Sequence, residues 1–82
     1  MPEPQTSRLT RKIQPMPPAI RDVLLARELM DAYQERPAYQ RNDYLAWIAR
    51  AKMDATRRKR IDQMLEELAG GTRYMKMLWR TT

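Results

Sequence analysis

Apolar side chains recur three and four positions apart on both sides of a short interval at 52–54. Before the interval the recurring positions are Tyr44, Leu45, Ile48 and Ala51, and after it they are Ile61, Met64, Leu65 and Leu68. This spacing gathers side chains on one side of a helix. The pattern therefore predicts two helices joined by a tight corner, with their apolar faces packed together. The residues expected to be buried together are Leu45, Ile48, Ile61, Leu65 and Leu68.

The second of these helices has a predicted start and a predicted end. Asp54 can accept hydrogen bonds from the unpaired amides of the first turn, so it is the expected cap. Gly70 can adopt the left-handed conformation that ends many helices. The helix is therefore predicted to run from Asp54 to Ala69.

The first half of the chain predicts shorter helices. Pro17 and Pro18 suit the first turn of a helix, where no amide donor is needed. Apolar positions at helical spacing follow through 19–26 and again through 27–34. Periodicity alone leaves open whether these stretches are one helix or two helices with a bend near 25–27.

Pro37 separates this part of the chain from the helix that carries Tyr44. Proline disfavours helical geometry in the residue before it, which here is Arg36. The next helix is therefore predicted to begin at Pro37 or Gln40 and to end at Ala51.

The composition supports an all-α fold. The 82 residues include two glycines and no phenylalanine, whereas a β-sandwich or a barrel needs repeated turns and strand-forming runs. The chain is also close to the size at which a single core is just sufficient. We predict one small bundle of three to four short helices at residues 17–71, preceded by a disordered N-terminal arm.

The residue types on which most catalytic and metal sites depend are missing. The sequence has no histidine and no cysteine, which excludes histidine-dependent acid–base catalysis and thiolate chemistry. The aspartates lack the dense spacing of a calcium loop, and there is no glycine-rich phosphate loop. We therefore predict a protein that is not an enzyme and that has no cofactor or metal.

The net charge of +6 is located in the two ends of the chain. Residues 1–21 carry four bases and one acid, residues 68–82 carry three bases and no acid, and nine bases meet nine acids in between. A nucleic-acid-binding body more often has a basic face of its own. We expect residues 1–16 to be a flexible basic arm and the helical body to be balanced in charge.

Residues 72–82 form a tail that is both apolar and basic. Leaving it in water would be costly, because burying one large apolar side chain is worth about 1.5–3 kcal/mol. We therefore expect the tail to dock on the helices or on a second copy of the chain. The stretch from Tyr74 to Leu78 should be ordered, and Trp79 should be at least partly buried. The candidate partner-binding residues are Arg73, Tyr74, Lys76, Leu78, Trp79 and Arg80.

A second candidate site is the run of four bases at 57–60. Within it, Arg57, Arg58 and Arg60 could bind an anion such as a nucleic-acid phosphate or a lipid headgroup. Such a run disperses around a helix, however, and does not make one basic face. Arg57 lies toward the apolar side, where its stem can cover the core and its guanidinium can reach a carboxylate such as Asp54. A structural role is the favoured interpretation, and anion binding is the alternative.

The second half of the chain resembles a known bacterial family. The resemblance is carried by Tyr-Leu-Ala-Trp-Ile at 44–48, Ala-Lys at 51–52, Thr-Arg-Arg-Lys-Arg-Ile at 56–61 and Leu-Ala-Gly-Gly at 68–71. This order is similar to the pattern of the YdeI/OmpD-associated family, also labelled bacteriocin-protection, and the likeness covers roughly residues 17–71. The resemblance implies a helical domain with a bend between its first two helical stretches. It also implies a part in bacterial stress or bacteriocin protection, but no reaction.

Two functions of different classes are therefore expected. The first is a non-enzymatic interaction domain whose partner is a protein, with a second copy of the chain among the candidates. The alternative is a small nucleic-acid-binding protein that grips phosphates with its basic ends, and such binding weakens steeply with salt. No stretch is long and apolar enough to cross a membrane, and Arg8, Arg11 and Lys12 interrupt any secretory signal. A cytoplasmic location is predicted.

Overall fold

Four helices and a small hairpin make up the part of the chain that the structure describes, residues 14–78 of a computed structural model. In chain order the helices are α1 (Pro18–Ala26), α2 (Met30–Glu35), α3 (Ala38–Ala49) and α4 (Asp54–Gly70). Two short antiparallel strands follow, β1 (Arg73–Tyr74) and β2 (Met77–Leu78). Helix α4 is the central element, because α2, α3 and β1 all pack against it.

The hairpin formed by β1 and β2, residues 73–78, corrects the prediction of an all-α fold. The helical part of that prediction is confirmed, but the beginning of the expected tail is a two-stranded sheet. Arg73 pairs with Leu78, and Tyr74 pairs with Met77. The sequence did not predict it, because neither Asn-Gly nor another common hairpin turn stands between the strands. Contacts with the helices hold the turn instead.

Helices α1 and α2 are separated by a sharp break. Glu28 has a positive φ of 58°, and the amide of Leu29 donates to the carbonyl of Leu24 at 2.8 Å. These features form the Schellman motif, in which a left-handed residue closes a helix. Two separate helices are therefore present, and the break at 27–29 lies two residues beyond the predicted bend at 25–27.

The corner between α3 and α4 lies at 50–53, close to its predicted place. The expected cap is wrong, because Met53 occupies the cap position and makes no side-chain hydrogen bond there. Asp54 is instead the first residue of α4, and its carboxylate accepts a hydrogen bond from Arg57 Nη1 at 2.8 Å. The negative charge still lies in the first turn, where the helix dipole favours it.

The far end of α4 also differs slightly from the prediction. Gly70 is the last helical residue, and Gly71 rather than Gly70 adopts the left-handed conformation, with a φ of 80°. Its amide donates to the carbonyl of Glu67 at 2.9 Å. This turn directs the chain back toward α2 and α3, where the hairpin begins.

The core is formed where the four helices meet, with α1 packed on α2 and both α2 and α3 packed on α4. Its buried apolar residues are Ile20, Leu24, Tyr33, Tyr44, Leu45, Ile48, Met64, Leu65 and Leu68. Four of the five residues that were expected to be buried together belong to it. Ile61 is the exception, since it is only partly buried and packs against the edge of this cluster.

The described part of the chain begins with residues that contact α3 and the core, and it ends with β2. The amide of Gln14 donates to Asn42 Oδ1 at 2.7 Å, and Met16 packs against the core. Most of the predicted N-terminal arm, residues 1–13, and the end of the tail, residues 79–82, lie outside the described residues. Within residues 14–78, no helix combines the length and the apolar character that crossing a membrane requires.

Candidate functional site

A group of buried polar side chains lies where the hairpin meets the helices. We call it the polar cluster, and its members are Arg36, Gln40, Tyr44 and Glu67. Between 0% and 6% of each residue's surface is exposed. Polar and charged groups are costly to bury unless hydrogen bonds compensate them, so the contacts of this cluster indicate what the fold gains from it.

Arg36 joins the end of α2 to α4 and to β1. One guanidinium nitrogen, Nη1, donates to the Arg73 carbonyl at 2.7 Å and to Gln40 Oε1 at 3.1 Å. The other, Nη2, donates to the Glu67 carbonyl at 2.9 Å. A cation at the carboxyl end of a helix is favoured by the helix dipole. Arg36 therefore satisfies the last turn of α4 and fixes the start of the hairpin.

Glu67 holds the other end of the hairpin, at its turn. Both carboxylate oxygens accept two hydrogen bonds. Oε1 accepts from the Tyr44 hydroxyl at 2.5 Å and from the Met75 amide at 2.9 Å. Oε2 accepts from the Lys76 amide at 2.7 Å and from Gln63 Nε2 at 3.1 Å. The charge is thus fully hydrogen-bonded, and two of its four donors belong to the turn.

The turn needs this support because its backbone is unfavourable for the residues that form it. Met75 and Lys76 have positive φ values of 51° and 66°, a combination found in two-residue type I′ turns and usually taken by Asn and Gly. A left-handed conformation costs roughly 1–2 kcal/mol for each residue that has a Cβ. Hydrogen bonds to a charged acceptor contribute about 1.5–3 kcal/mol each, so the two bonds to Glu67 offset this strain.

Tyr74 attaches the face of the hairpin to α3. Its ring packs edge-on against Tyr39 and Tyr44, with centroid distances of 5.9 Å and 5.4 Å. Its hydroxyl donates to Asp43 Oδ2 at 2.7 Å. Tyr74 and Met75 both pack against the core, so the inner side of the hairpin is docked.

The environment of the tyrosines shifts their titration. Burial raises the pKa of Tyr44, and its hydrogen bond to the Glu67 carboxylate raises it further. Burial also raises the pKa of Tyr33, although the charge of Arg41 acts in the opposite direction. Both phenols therefore favour the neutral form, in which the Tyr44 hydroxyl can donate a hydrogen bond to the Glu67 carboxylate.

Strand β2 is open to solvent. Leu78, 63% exposed, shares the outer face of the hairpin with its exposed cross-strand partner Arg73, whereas Met77, 59% exposed, lies on the same face as Tyr74; Lys76 in the turn is also exposed. Beside the turn lies an open groove of about 290 Å³. Its lining residues are Gln63, Glu66, Glu67, Arg73 and Lys76. The arrangement is thus an apolar, basic surface presented by a firmly anchored element.

Four of the six predicted tail residues are on this hairpin. Arg73, Lys76 and Leu78 are exposed, as a binding surface requires, whereas Tyr74 is partly buried and anchors the hairpin. Trp79 and Arg80 lie outside the described residues, so the predicted burial of Trp79 stays a prediction. The expected order from Tyr74 to Leu78 agrees with the hairpin.

Two of the candidate anion-binding residues Arg57, Arg58 and Arg60 are engaged in contacts with the preceding segment of the chain. Besides its bond to Asp54, Arg57 donates from Nη2 to the Ala51 carbonyl at 3.1 Å. Arg60 donates from Nη1 to the Trp47 carbonyl at 2.6 Å and lies over the indole ring, 5.3 Å from its centroid. Arg57 therefore joins α4 to the corner and Arg60 joins it to α3, whereas Arg58 is the exposed one of the three.

Sequence reasoning missed the polar cluster, although its positions carried a detectable pattern. Arg36, Gln40 and Tyr44 are four positions apart, and Glu67 follows the buried Met64 by three positions. Polar residues at the spacing of an apolar stripe are candidates for a buried network. Their partners could not be read from the sequence, because they depend on where the hairpin docks.

The contacts of the polar cluster hold the hairpin in place on the helices. The Glu67 carboxylate and the Tyr44 hydroxyl are bonded to each other and to the hairpin. Residues 14–78 contain no group of three or more acidic side chains that could hold a metal ion. What the cluster provides is a fixed geometry for the hairpin surface.

These features define a small helical domain that carries a C-terminal hairpin on a buried polar cluster. The chain belongs to the family described as bacteriocin-protection, YdeI or OmpD-associated, whose model matches residues 15–71. This finding confirms the resemblance seen in the sequence. Searches of the curated proteins and of the solved structures returned no match. The family match includes the whole polar cluster but ends just before the hairpin.

Proposed function

We propose that this chain acts by binding another protein, without catalysis, and that the exposed strand β2 of the hairpin is its binding surface. The observation that carries the proposal is the pair Met77 and Leu78, two large apolar side chains that are more than half exposed on an anchored strand. Scattered exposed apolar residues are common, but an adjacent pair on a fixed element is typical of an interaction site.

The energetics of the hairpin support this proposal. Its attachment uses a buried guanidinium and a buried carboxylate, and its turn has two strained residues. Arg36 and Glu67 nevertheless hold the hairpin in one position on the helices. A rigid surface loses little conformational entropy on binding, so a fixed hairpin is suited to recognition.

Nucleic-acid binding is the second candidate, because Arg73 and Lys76 are exposed on the same hairpin. The helical body argues against it. Arg57 and Arg60 are engaged with α3 and the corner, and residues 22–67 carry equal numbers of acids and bases. Contacts with phosphate would weaken steeply with added salt, whereas apolar contacts would not.

The family description suggests the biological setting of this binding. We place it in bacterial stress or bacteriocin protection, on the strength of the family match alone. A bacterial strain that depends on the chain for survival under a bacteriocin should lose that protection with Leu78→Ser. The variant Leu25→Ser alters an apolar residue of similar exposure on α1 and should retain protection.

Site-specific cross-linking tests the binding surface directly. A photoreactive amino acid at position 77 should capture one bacterial protein reproducibly from a lysate, at low and at high salt and after nuclease treatment. The same group at Met53, which is at least as exposed, should not capture it. Capture should disappear with Leu78→Ser and persist with Leu25→Ser. If position 77 captures nothing beyond the Met53 control, or only nucleic acid, the proposal is wrong.

A further inference from the structure

The two edges of the hairpin differ in what covers them. Because Tyr74 and Met77 flank a two-residue turn, they form its hydrogen-bonded pair, and the backbone groups of Arg73 and Leu78 point away from the hairpin. On β1 this edge is covered, since the Arg73 carbonyl accepts a hydrogen bond from the buried Arg36 at 2.7 Å and the strand lies against α4.

The edge of β2 faces the opposite way. There the amide and the carbonyl of Leu78 point away from β1, and both residues of the strand are more than half exposed. An exposed strand edge with outward-facing donors and acceptors is a template for another extended chain. The side chains beside it supply contacts for the residues of such a chain, which alternate in direction.

The charge around the hairpin favours an extended partner segment of one sign of charge over the other. Residues 68–82 contain three bases and no acid, and Arg73 and Lys76 are exposed on the hairpin. Glu66 on α4 lines the groove beside the turn and offsets part of this charge. A second copy of the chain would bring the same bases to the same edge, which disfavours self-pairing. An acidic segment gains from the same charges.

We propose that the partner adds an extended, acidic segment as a third strand along the edge of β2 that faces away from β1. This inference rests on the proposed function and names how the partner binds. Backbone hydrogen bonds at Leu78 supply the pairing, Met77 and Leu78 supply apolar contact, and Arg73 and Lys76 favour acidic side chains.

A peptide titration of the isotope-labelled full chain tests the mode of binding. The probe is a short peptide of alternating glutamate and valine. It should shift the NMR signal of the Leu78 amide saturably and slow the exchange of that proton with solvent. A peptide of alternating lysine and valine should bind at least about tenfold more weakly, because its charges repel the hairpin. The glutamate peptide with alternate amides methylated should not bind, because it lacks the donors.

Two variants separate backbone pairing from side-chain contact. Leu78→Pro removes the outward amide but no hydrogen bond inside the hairpin, since a proline is tolerated where the amide of an edge strand faces solvent. We expect it to weaken binding about tenfold or more relative to Leu78→Thr, which keeps the amide. Unchanged signals of the Met75 and Lys76 amides verify that the turn is intact in both variants.

Several results would overturn the inference. They are equal binding by the Pro and Thr variants, equal binding of the basic and acidic peptides, no shift at Leu78, and a dimer of the chain that buries this edge. If the cross-link at position 77 persists in Leu78→Pro, the partner docks through side chains. The proposed function then stands, and only strand addition fails. Loss of the cross-link to the parent chain would instead remove the proposed function itself.

Discussion

Burying a carboxylate at the carboxyl end of a helix is unfavourable, because the helix dipole places partial negative charge there. Glu67 lies in the last turn of α4 and is 6% exposed, so its position needs compensation. Two groups supply it. Arg36 brings a positive charge to the same turn, and four donors surround the carboxylate. At the scale of residues, this pair of opposite charges links the helices to the hairpin.

Replacing Glu67 should therefore be costly. Glu67→Gln keeps the size of the side chain but places an amide donor against either the Met75 or the Lys76 amide, which is itself a donor. We expect a loss of about 1–3 kcal/mol in the free energy of unfolding, measured by chemical denaturation. Glu66→Gln is the matched control. Glu66 is the exposed neighbour of Glu67, so its replacement should change the free energy of unfolding by less than about 0.5 kcal/mol. Equal effects of the two changes would contradict the role given to Glu67.

Tyr44 predicts a loss of stability at alkaline pH. Its pKa in the folded protein lies above the ordinary value of 10.0, so the folded state holds the phenol proton more tightly than the unfolded chain. The contribution of Tyr44 to the free energy of unfolding is fully present below about pH 10, and it declines as the pH rises toward and through the folded pKa. Tyr44→Phe should lower stability at neutral pH and flatten the decline above about pH 10. Denaturation at several pH values measures both, and an unchanged slope would be evidence against the buried hydrogen bond.

At the scale of elements, the hairpin has a strained turn within a well-anchored strand pair. Lys76→Gly should relieve the backbone strain at one left-handed position and keep the hydrogen bond that the amide of residue 76 donates to Glu67. We expect a gain of about 0.5–1 kcal/mol in stability, visible as a higher melting temperature. Lys59→Gly, at an exposed position inside α4, should do the reverse and cost about 1 kcal/mol. A loss at both positions would mean that the turn is not strained as described.

The packing of α3 on α4 predicts unequal effects of two similar deletions. Leu65 is 3% exposed in the core, whereas Ile61 lies at its edge and is only partly buried. Leu65→Ala should cost about 2–5 kcal/mol, because it leaves a cavity. Ile61→Ala should cost clearly less, since it removes less buried surface and water can fill the space. Thermal melting of both variants tests this order, and equal losses would place Ile61 in the core.

At the scale of the whole molecule, the hairpin covers the polar cluster and part of the core. Removing residues 72–82 would uncover Glu67 and Tyr44 and leave Arg36 without its contact at Arg73. We expect a distinctly lower melting temperature, with a loss of at least about 2 kcal/mol. Removing only residues 79–82 leaves the hairpin whole and tests the predicted burial of Trp79. If the longer truncation melted like the parent, the hairpin would not be docked.

The sequence was sufficient to predict the helices, but it was insufficient to predict the polar contacts and the hairpin that join them. Tyr44, Leu45, Ile48, Leu65 and Leu68 follow local periodicity, so their burial was predictable. The cap of α4 was missed because Asp54 bonds to Arg57, a local alternative of similar strength. The turn at Met75 and Lys76 has no local preference for its backbone. Only a carboxylate on α4 makes it possible, and such dependence on a distant residue leaves no pattern at the turn itself.

The position of the hairpin after the helices has a consequence for biosynthesis. On a ribosome stalled behind an added C-terminal extension, α1 to α4 can be outside the tunnel while residues 73–78 are still inside, so that Glu67, Tyr44 and Arg36 lack their last partners. Until residues 73–78 emerge, water must form the missing hydrogen bonds to these groups, and the nascent domain should stay loosely packed around them. Completion of the fold is then timed by the exit of six residues. A stalled ribosome that holds Arg73 to Leu78 in its tunnel should keep the nascent chain sensitive to protease, and release should protect it.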